Sequence, residues 1–395
     1  MIAKVKKIII IFLKQLGRFR PVVSKNVLKR LSVKNSHVFF GYYDITPFND
    51  NNTFLLANHV PQNRLPHNTH LDLGYFNLND TKPVFKKIAD TKAWCWQMGA
   101  RLRWIKSEKN IVSYNSIDNN NYVNIYQDIL SGKVHEKHEL PFYDINRNNS
   151  LAISLNFSRL DRLRPGYGYS IIPDASKDEN APRYDGLILY DILKKEKKEL
   201  ISLEQIKKIK GRSSMEDAQH YFNHISFSPY SDHFIFFHLW TKKSKRYSRL
   251  FIYHILTNEI ELLSKNNVSH YTWKNNNEIL ITEFIDRELM YNVYDFISNT
   301  FYTIGNDKLV FDGHPSCLNN NEIITDTYPN LLGYQKLLRY DLSKDKIYNI
   351  GKFYSPYNYK YDNKCDLHPR LSPDKNFICV DSAFSGKREL IIINN

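Results

Sequence analysis

The chain lacks the marks of a secreted or disulfide-stabilised protein. It has four cysteines, none of them in a CxxC pair, and no secretory cleavage pattern follows the N-terminus. We therefore expect free thiols and a cytoplasmic location. Also absent are a Gly-rich phosphate-binding loop, a GxSxG motif and an HExxH motif. The signatures of common nucleotide-binding, serine-hydrolase and zinc-peptidase sites are therefore missing.

The first 34 residues lack acidic side chains. They hold ten Lys or Arg, the first carboxylate is Asp44, and the formal net charge of the whole chain is +14. The apolar run at residues 8–13 is shorter than the roughly 20 apolar residues that span a bilayer. A short apolar core with basic flanks favours a helix that lies on an anionic membrane surface.

We therefore expect residues 1–34 to form a basic amphipathic, membrane-associating segment. It would hold the protein peripherally on the inner face of the cytoplasmic membrane. A solubility tail and an uncleaved signal-like start are the alternatives. Nucleic acid is not an expected partner, because the excess positive charge does not lie on the folded domain.

A repeated unit organises residues 35–395. Each copy has a polar opening, often with a histidine, then a few alternating residues, a turn, and a β-branched or aromatic run. A period of roughly 45–55 residues of short strands is typical of a β-propeller. The sequence therefore predicts an all-β fold, a seven-bladed β-propeller preceded by a short N-terminal basic amphipathic helix. The predicted blade openings lie near Tyr43, Trp94, Tyr143, His224, His270, His314 and His368.

The repeat pattern is irregular in two places. The last blade ends at Asn395 with only three clear strands, so we predict that a strand within residues 33–40 completes it and closes the ring. The interval between the third and fourth blades is longer than the others, which predicts an insertion at about residues 156–219. A helix is predicted near residues 203–209, with Gly211 just past its end.

The first strand of each blade in a propeller lines the central channel. The histidines that open four successive blades are therefore predicted to meet at one level, with the aspartates that precede two of them. Converging imidazoles and carboxylates can bind a divalent metal or transfer protons. The alternative is that each histidine only hydrogen-bonds between neighbouring blades. The candidate catalytic residues are His224, His270, His314, His368, Asp312 and Asp366.

Arginine and tyrosine are concentrated in the insertion, on a loop that contains Gly and Pro. Because Arg pairs with carboxylates and phosphates and Tyr rings stack, this loop is predicted to grip an anionic or sugar ligand. A long surface loop with solvated charge is the alternative. The predicted substrate-binding residues, on this loop and at the blade openings, are Tyr43, Asp44, Gln97, Arg101, Arg159, Arg162, Arg164, Tyr167, Tyr169, Asn223 and Arg370.

Three of the units, at residues 222–229, 269–273 and 368–374, resemble the seven-bladed propellers of the TolB-like and oligogalacturonate-lyase-like group. They look most similar to a branch found in bacterial surface-polysaccharide gene clusters. Members of the lyase group hold manganese with histidines and a glutamine, and they use a catalytic arginine. The resemblance therefore implies a divalent metal, manganese, with His270 and His314 as ligands. The lyases present a glutamine and two histidines where this chain has one histidine, in the stretch Asp312-Gly313-His314.

From the resemblance we expect an enzyme of bacterial cell-surface polysaccharide biosynthesis or modification, in a capsule, O-antigen or exopolysaccharide system. Its partner would be a glycan or a lipid-linked oligosaccharide at the membrane. Glycosyl transfer and metal-dependent β-elimination on a uronate-containing oligosaccharide both stay open. A non-catalytic propeller scaffold of a biosynthetic complex is the alternative from a different class.

Overall fold

The computed structural model describes residues 26–61, 69–106 and 108–395, together with Ile11 and Ser24. Within this part of the chain, 28 strands form seven antiparallel sheets of four strands each. The sheets are the blades of a propeller, and the first strand of each blade lies toward the channel. The predicted all-β, seven-bladed β-propeller is therefore confirmed.

The chain enters the propeller with β1 (Val27–Leu31), which belongs to the last blade. Blade 1 contains β2 (His37–Phe39), β3 (Phe54–Val60), β4 (Leu71–Asn77) and β5 (Lys86–Thr91). Blade 2 contains β6 (Arg103–Trp104), β7 (Ile111–Asp118), β8 (Asn121–Asp128) and β9 (Val134–His138). Blade 3 contains β10 (Asp144–Ile145), β11 (Leu151–Ser154), β12 (Gly186–Asp191) and β13 (Glu196–Ser202).

The remaining blades follow in chain order. Blade 4 contains β14 (Gln219–Phe227), β15 (His233–Lys242), β16 (Lys245–His254) and β17 (Ile260–Ser264). Blade 5 contains β18 (Asn267–Trp273), β19 (Glu278–Ile285), β20 (Glu288–Asp295) and β21 (Thr300–Ile304). Blade 6 contains β22 (Ser316–Asn319), β23 (Glu322–Asp326), β24 (Tyr334–Asp341) and β25 (Lys346–Tyr354). Blade 7 contains β26 (Arg370–Leu371), β27 (Phe377–Ser382), β28 (Glu389–Asn394) and β1.

The ring is closed by β1, which pairs antiparallel with β28 and places Leu31 opposite Leu390. The prediction that residues 33–40 close the ring was wrong, because His37–Phe39 forms the first strand of blade 1 instead. Pairing the first strand of the chain with the last removes the exposed edge that blade 7 would otherwise present.

Two basic residues make the strand β1 hard to recognise in the sequence. Lys29 donates to the carbonyl of Leu78, and Arg30 forms an ion pair with Glu389 at 2.9 Å. Residues 27–31, which the sequence analysis placed in the membrane-associating segment, thus belong to the propeller. Apart from Ile11 and Ser24, the residues before Asn26 lie outside the described part of the chain, and the predicted amphipathic helix falls there.

No helix among the described residues is long and apolar enough to cross a bilayer. The helices are α1 (Phe157–Leu163) and α2 (Leu203–Lys208), with short 3-10 turns at Ser213–Met215 and Tyr361–Asn363. The helix predicted near residues 203–209 is α2. It begins with a capping box between Ser202 and Gln205, which satisfies backbone N–H groups at its start.

The predicted insertion at about 156–219 is two separate excursions. The third and fourth strands of blade 3, β12 and β13, lie inside that range and interrupt it. The first excursion, residues 155–185, carries α1 between β11 and β12, and the second, residues 203–218, carries α2 before blade 4. Strand β13 was not predicted because it contains a run of charged residues. Most of its side chains are exposed, so the apolar pattern of a buried strand is missing.

The hydrophobic core lies between the blades. In β15 the eight successive residues from His233 to Trp240 are buried. A strand covered on both faces contains a continuous apolar and aromatic run instead of a strict alternation. Runs of this kind in the sequence are therefore the strands that pack between neighbouring blades and fix the channel.

Candidate functional site

The four histidines predicted to meet in the channel do so. The ring of His314 lies 4.3 Å from that of His270 and 4.3 Å from that of His368, measured between ring centroids. The ring of Tyr42 lies between His224, at 4.8 Å, and His368, at 4.9 Å. All four imidazoles are buried. Four successive blades thus contribute one imidazole each to one cluster.

A carboxylate at the end of β23 fixes two of these histidines. Asp326 Oδ1 accepts from the backbone N–H of His314 at 2.8 Å, and its Oδ2 accepts from that of His368 at 3.0 Å. The same arrangement recurs one blade later, where Asp381 accepts from the N–H groups of Phe40 and Gly41. Through these hydrogen bonds each carboxylate connects one blade to the next and positions the loops that carry the imidazoles.

Each of three imidazoles has its Nδ1 held by an oxygen. His270 Nδ1 lies 3.1 Å from Asp312 Oδ1, and His314 Nδ1 lies 2.9 Å from Asp326 Oδ1. His368 Nδ1 lies 2.9 Å from the Gly41 carbonyl. Because these oxygens can only accept, Nδ1 carries the proton in each neutral ring and Nε2 keeps its lone pair.

Gly41 is required where it is. Its φ of +131° lies in a region that side chains rarely adopt, and an added Cβ would meet the backbone of Met98 at 2.9 Å. This backbone conformation places the carbonyl that accepts from both His368 Nδ1 and Arg370 Nη1. The orientation of His368 therefore depends on a glycine and an arginine of different blades.

The unused atoms of this cluster form a possible metal site. His314 Nε2 and His368 Nε2 are buried and have no hydrogen-bond partner within the described chain. Ligand atoms of these two histidines and of Asp366 lie within 4.8 Å of one another. Two imidazoles and a carboxylate, each imidazole held by an outer oxygen, suit a divalent transition metal. The structure thus adds His368 and Asp366 to the predicted ligand His314, whereas the other predicted ligand, His270, is not part of this group.

Burial favours the neutral form of three imidazoles of the cluster. It lowers the pKa of His270, and it lowers the pKa of His224 and of His368 well below the usual value of 6.5. Neighbouring positive groups act in the same direction. Burial acts to raise the pKa of Asp312, but the adjacent His270 and His314 rings and the hydrogen bonds from His270 and Ser269 outweigh it and lower that pKa. Neutral imidazoles and ionised carboxylates are the forms that bind metals.

Tyr42 and His224 form a second part of the site. Tyr42 Oη lies 3.5 Å from His224 Nε2, and Arg164 Nη1 lies 3.3 Å from the same nitrogen. Burial raises the pKa of Tyr42 well above 10, whereas burial and then Arg164 depress that of His224. Two adjacent groups with pKa values moved apart can serve as a proton donor and a proton acceptor.

Cationic and aromatic side chains surround one end of the cluster. The Arg164 guanidinium lies 3.9 Å from the centre of the Tyr167 ring, and its buried Nε lacks a partner in the described part of the chain. Lys364 Nζ lies 2.7 Å from Asp366 Oδ2 and 4.9 Å from the Tyr328 ring. Tyr328 also packs edge-on against His314 and is 37% exposed. This end of the cluster, marked by the partly exposed Tyr328, is called the channel mouth below.

Tyr43 lies on the other side of the imidazoles. Its ring packs against His314, and its hydroxyl donates to the Tyr271 carbonyl at 2.7 Å. Beyond it, Arg101 binds both carboxylate oxygens of Asp44, at 2.9 and 3.2 Å. Tyr43 thus contacts the cluster, whereas the predicted substrate-binding residues Asp44 and Arg101 are paired with each other.

Other predicted substrate-binding residues have structural partners. All three guanidinium nitrogens of Arg159 donate to carbonyls, those of His220, Ser176, Glu179 and Asn180, which leaves no donor for a ligand. Arg162 donates to Asp174 at 2.9 Å on the surface. The first of these arginines anchors the first excursion, and the second covers a buried carboxylate.

The remaining members of that predicted set are also held in the protein interior. Tyr169 stacks on Phe157 at 4.3 Å. Gln97 Nε2 donates to the carbonyls of Asp362 and Lys364, and Asn223 accepts from the Tyr143 hydroxyl. Arg370 pairs with Asp381 at 2.7 Å. Of the predicted loop residues, only Arg164 and Tyr167 contact the cluster directly.

Four residues of the site were missed in the sequence: Tyr42, Asp326, Tyr328 and Lys364. Asp326 and Asp381 lie at matching places near the ends of the second strands of blades 6 and 7, a match that the repeat alone can explain. Lys364, Asp366 and His368 alternate, which is the pattern of side chains on one face of an extended segment. That alternation was the available signal for Lys364.

No family model and no curated protein matches the chain. Solved structures do. One described as oligogalacturonate lyase in complex with manganese has a TM-score of 0.67 and 11% identity, covering 95% of this chain and 96% of that one. Oligogalacturonate lyase from Vibrio parahaemolyticus has a TM-score of 0.63 and 11% identity, covering 94% and 96%. TolB from Acinetobacter baumannii has 0.43 and 11%, covering 78% and 65%.

At these identities the likeness establishes the fold. The chain is a seven-bladed β-propeller with oligogalacturonate lyase among its structural neighbours, as the sequence analysis expected. The lyase structures span almost the whole of both chains, so the correspondence includes every blade. One of these neighbours holds manganese, and this chain has a possible metal site in its own channel.

Proposed function

We propose that this protein is a divalent-metal-dependent enzyme that acts on an acidic carbohydrate at the channel mouth. β-elimination at a uronate residue is the reaction that the site supports best. One observation carries the proposal: His314 and His368 present buried Nε2 atoms, unpartnered in the described chain, beside Asp366. Buried polar atoms without partners are destabilising, so their retention favours a bound ligand.

His314, His368 and Asp366 would hold the metal, and the ring of His270 packs against that of His314 at 4.3 Å. When bound, such a metal supplies Lewis-acid chemistry, which draws charge from a uronate carboxylate and acidifies the neighbouring C–H bond. Asp312, Asp326 and the Gly41 carbonyl hold the three imidazole rings so that their Nε2 atoms stay available. Outer oxygens of this kind orient metal-binding histidines in proteins generally.

The acid and base of the reaction are assigned to Tyr42 and His224. Elimination needs a base for the proton next to the carboxylate and an acid for the leaving oxygen. Neutral His224 can accept a proton, and protonated Tyr42 can donate one. The 3.5 Å between Tyr42 Oη and His224 Nε2 lets the proton pass back between them, which restores both groups after each turnover.

The acidic part of the substrate is assigned to Arg164. Its unpartnered Nε leaves a donor for a carboxylate, and the Tyr167 ring fixes the plane of the guanidinium. Tyr328, at the solvent-exposed edge of the cluster, offers a face on which a sugar ring can stack. The names of the two lyase structures support the same substrate class and the same metal, although their identity of 11% carries only the fold.

Elemental analysis tests the metal part of the proposal. The purified full chain should contain, or bind after dialysis against Mn²⁺, about one divalent ion per molecule. His314→Ala should abolish this binding. His138→Ala is the matched control, because His138 is equally buried but lies outside the channel. A wild-type protein that binds neither Mn²⁺ nor Zn²⁺ would rule out the metal centre.

A lyase assay tests the reaction. Oligogalacturonate and other uronate oligosaccharides are incubated with the Mn²⁺-loaded protein, and the unsaturated product is followed by its ultraviolet absorbance. His224→Ala and Tyr42→Phe should each lower kcat by about 10²- to 10⁴-fold, the usual contribution of general acid–base groups. Sugar transfer to an acceptor without an unsaturated product would contradict β-elimination and favour glycosyl transfer instead.

The expected role in bacterial surface-polysaccharide biosynthesis stays a prediction, as does the peripheral position on the inner face of the cytoplasmic membrane. Replacement of the four lysines Lys4, Lys6, Lys7 and Lys14 by glutamine in the full chain should reduce its sedimentation with anionic vesicles. Unchanged sedimentation would contradict membrane association. A scaffold would keep glycan production in a His270→Ala/His314→Ala variant that folds, whereas an enzyme would lose it.

A further inference from the structure

Asp366 has two competing partners. It belongs to the possible metal site with His314 and His368, and its Oδ2 lies 2.7 Å from Lys364 Nζ. The side chain of Asp366 is 3% exposed, so few water molecules can share it. A buried carboxylate needs a positive partner. In this structure the ammonium is that partner, in a place next to the one a metal would take.

The backbone of Lys364 is held firmly. Its carbonyl accepts from Gln97 Nε2 at 2.8 Å and from Arg388 Nη2 at 2.9 Å. The side chain, 29% exposed, extends from this anchor past the Tyr328 ring toward Asp366. A change of side-chain rotamer can therefore move the ammonium away from Asp366 without a change in the surrounding loops.

The positive charge of Lys364 reaches the histidines of the cluster. Burial is the main cause that lowers the pKa of His270 and of His368, and Lys364 lowers both further. A charge that disfavours a proton on these rings also disfavours a divalent cation between them. The ammonium and a metal ion therefore repel each other while they attract the same carboxylate.

We propose that Lys364 is a built-in counter-ion of the metal centre, which neutralises Asp366 in the metal-free protein and is displaced when the metal binds. The displaced ammonium then lies at the channel mouth beside Tyr328, where it binds the anionic group of the substrate. Metal loading and anion binding are thereby coupled. This inference rests on the proposed metal-dependent function.

Calorimetric titration of the metal-free full chain with Mn²⁺ tests the displacement. Lys364→Met should bind Mn²⁺ about tenfold more tightly than the wild type, a coupling typical of residues in contact. Lys364→Arg, which keeps the charge, should bind as the wild type does. Lys360→Met is the matched control, since it removes the same charge from an exposed side chain that stacks on Tyr357.

A second pair of variants assigns the effect to Asp366. Asp366→Asn should weaken Mn²⁺ binding about tenfold or more, because a ligand is lost. In that background Lys364→Met should change the affinity by less than about threefold, since the shared carboxylate is gone. A tenfold effect of Lys364→Met that persists without Asp366 would overturn the shared-carboxylate mechanism.

Glucuronate is the probe for the released ammonium. Mn²⁺-loaded wild type should bind it about tenfold more tightly than the Mn²⁺-loaded Lys364→Met variant, the loss of one charged hydrogen bond. Equal Mn²⁺ affinity of wild type and Lys364→Met overturns this inference and leaves the proposed function standing. Absence of Mn²⁺ binding by the wild type overturns the proposed function and the inference together.

Discussion

The two halves of the channel wall both contain polar residues, but these residues differ in whether they have ion-pair or hydrogen-bond partners. In blades 1 to 3, Arg101 binds both oxygens of Asp44, and Arg103 pairs with Asp144 at 2.6 Å. In blades 4 to 7, His314 and His368 keep Nε2 atoms that have no hydrogen-bond partner in the described chain. The paired carboxylates of the first half are therefore structural, whereas the unpartnered Nε2 atoms of the second half lie in the possible metal site.

This difference distinguishes the residues that stabilise the fold from the residues that form the site. A fully paired group is retained by the fold it stabilises, whereas unpartnered buried atoms that converge, as those of His314 and His368 do beside Asp366, are best explained by a ligand. Tyr43-Asp44-Ile45 and Tyr143-Asp144-Ile145 echo each other at two of the predicted blade openings. Their carboxylates prove to hold arginines. The comparison therefore predicts that the Asp44–Arg101 and Asp144–Arg103 pairs control stability, whereas His314 and His368 control metal binding.

The largest expected effect is on stability. Asp44→Ala leaves the guanidinium of Arg101, whose side chain is 1% exposed, without its carboxylate. Breaking a buried pair by removing one partner should lower the free energy of unfolding by about 3 kcal/mol. Urea denaturation measures this. Asp44→Asn, which keeps a hydrogen-bond acceptor, should lose less. A loss below about 1 kcal/mol for Asp44→Ala would break the comparison.

For His368, in the second half, we expect a large loss of metal binding and only a small change in stability. His368→Met keeps the side-chain volume but removes the Nε2 donor, so Mn²⁺ affinity should fall about a hundredfold, at the upper end of effects on metal sites. The free energy of unfolding of the metal-free protein should change by less than about 1.5 kcal/mol. Calorimetry and urea denaturation measure the two quantities. A large loss of stability with unchanged Mn²⁺ binding would assign the histidines to architecture.

His138 sharpens the comparison through its pH dependence. It is buried outside the channel, and burial lowers its pKa from 6.5 to about 4. As pH falls from about 6.5 to 4, the unfolded chain takes up a proton that the folded protein refuses, so stability decreases with falling pH. The contribution is at most about 1.4 kcal/mol per pH unit. His138→Leu should reduce the acid sensitivity of urea unfolding by that slope, and an unaltered slope would contradict this burial effect.

The smallest effect distinguishes two arginines of the first excursion. Arg164→Met should weaken binding of glucuronate to the Mn²⁺-loaded protein about tenfold, because it removes a charged hydrogen bond at the channel mouth. Arg162→Met is the control of equal charge, and it should leave glucuronate affinity within about twofold, since its partner Asp174 lies away from the cluster. Equal losses for both variants would indicate a general effect of net charge.

Much of the fold could be predicted because it repeats. A histidine, a turn and an apolar run recur in a pattern that local residues determine, so the blade count and the convergence of the four imidazoles followed from it. The closing strand could not be predicted in the same way. Val27–Leu31 carries Lys29 and Arg30, and it becomes a strand because β28 offers an unpaired edge. Its partner lies at the other end of the chain.

The residues of the candidate site also divide into those that the repeat predicts and those that it does not. Its imidazoles were predictable as residues that share a place in the repeat. Which polar side chains would be paired was not, since Arg159 and Arg164 occur five residues apart in one loop. The first donates to four carbonyls, whereas the second reaches His224. Helix α1 turns them in different directions, and this orientation depends on contacts with blade 4.

The sequence alone determined the class of fold, the number of blades and the residue types that face the channel, because strand period and turn chemistry are local properties of the chain. Tertiary structure alone decided which polar atoms are satisfied. Asp326 forms a hydrogen bond with His314 of its own blade and with His368 of the next blade. Lys364 forms an ion pair with Asp366 at the channel mouth. Pairing depends on distances between residues that only folding brings together, so the identity of the unpaired atoms is a property of the folded molecule.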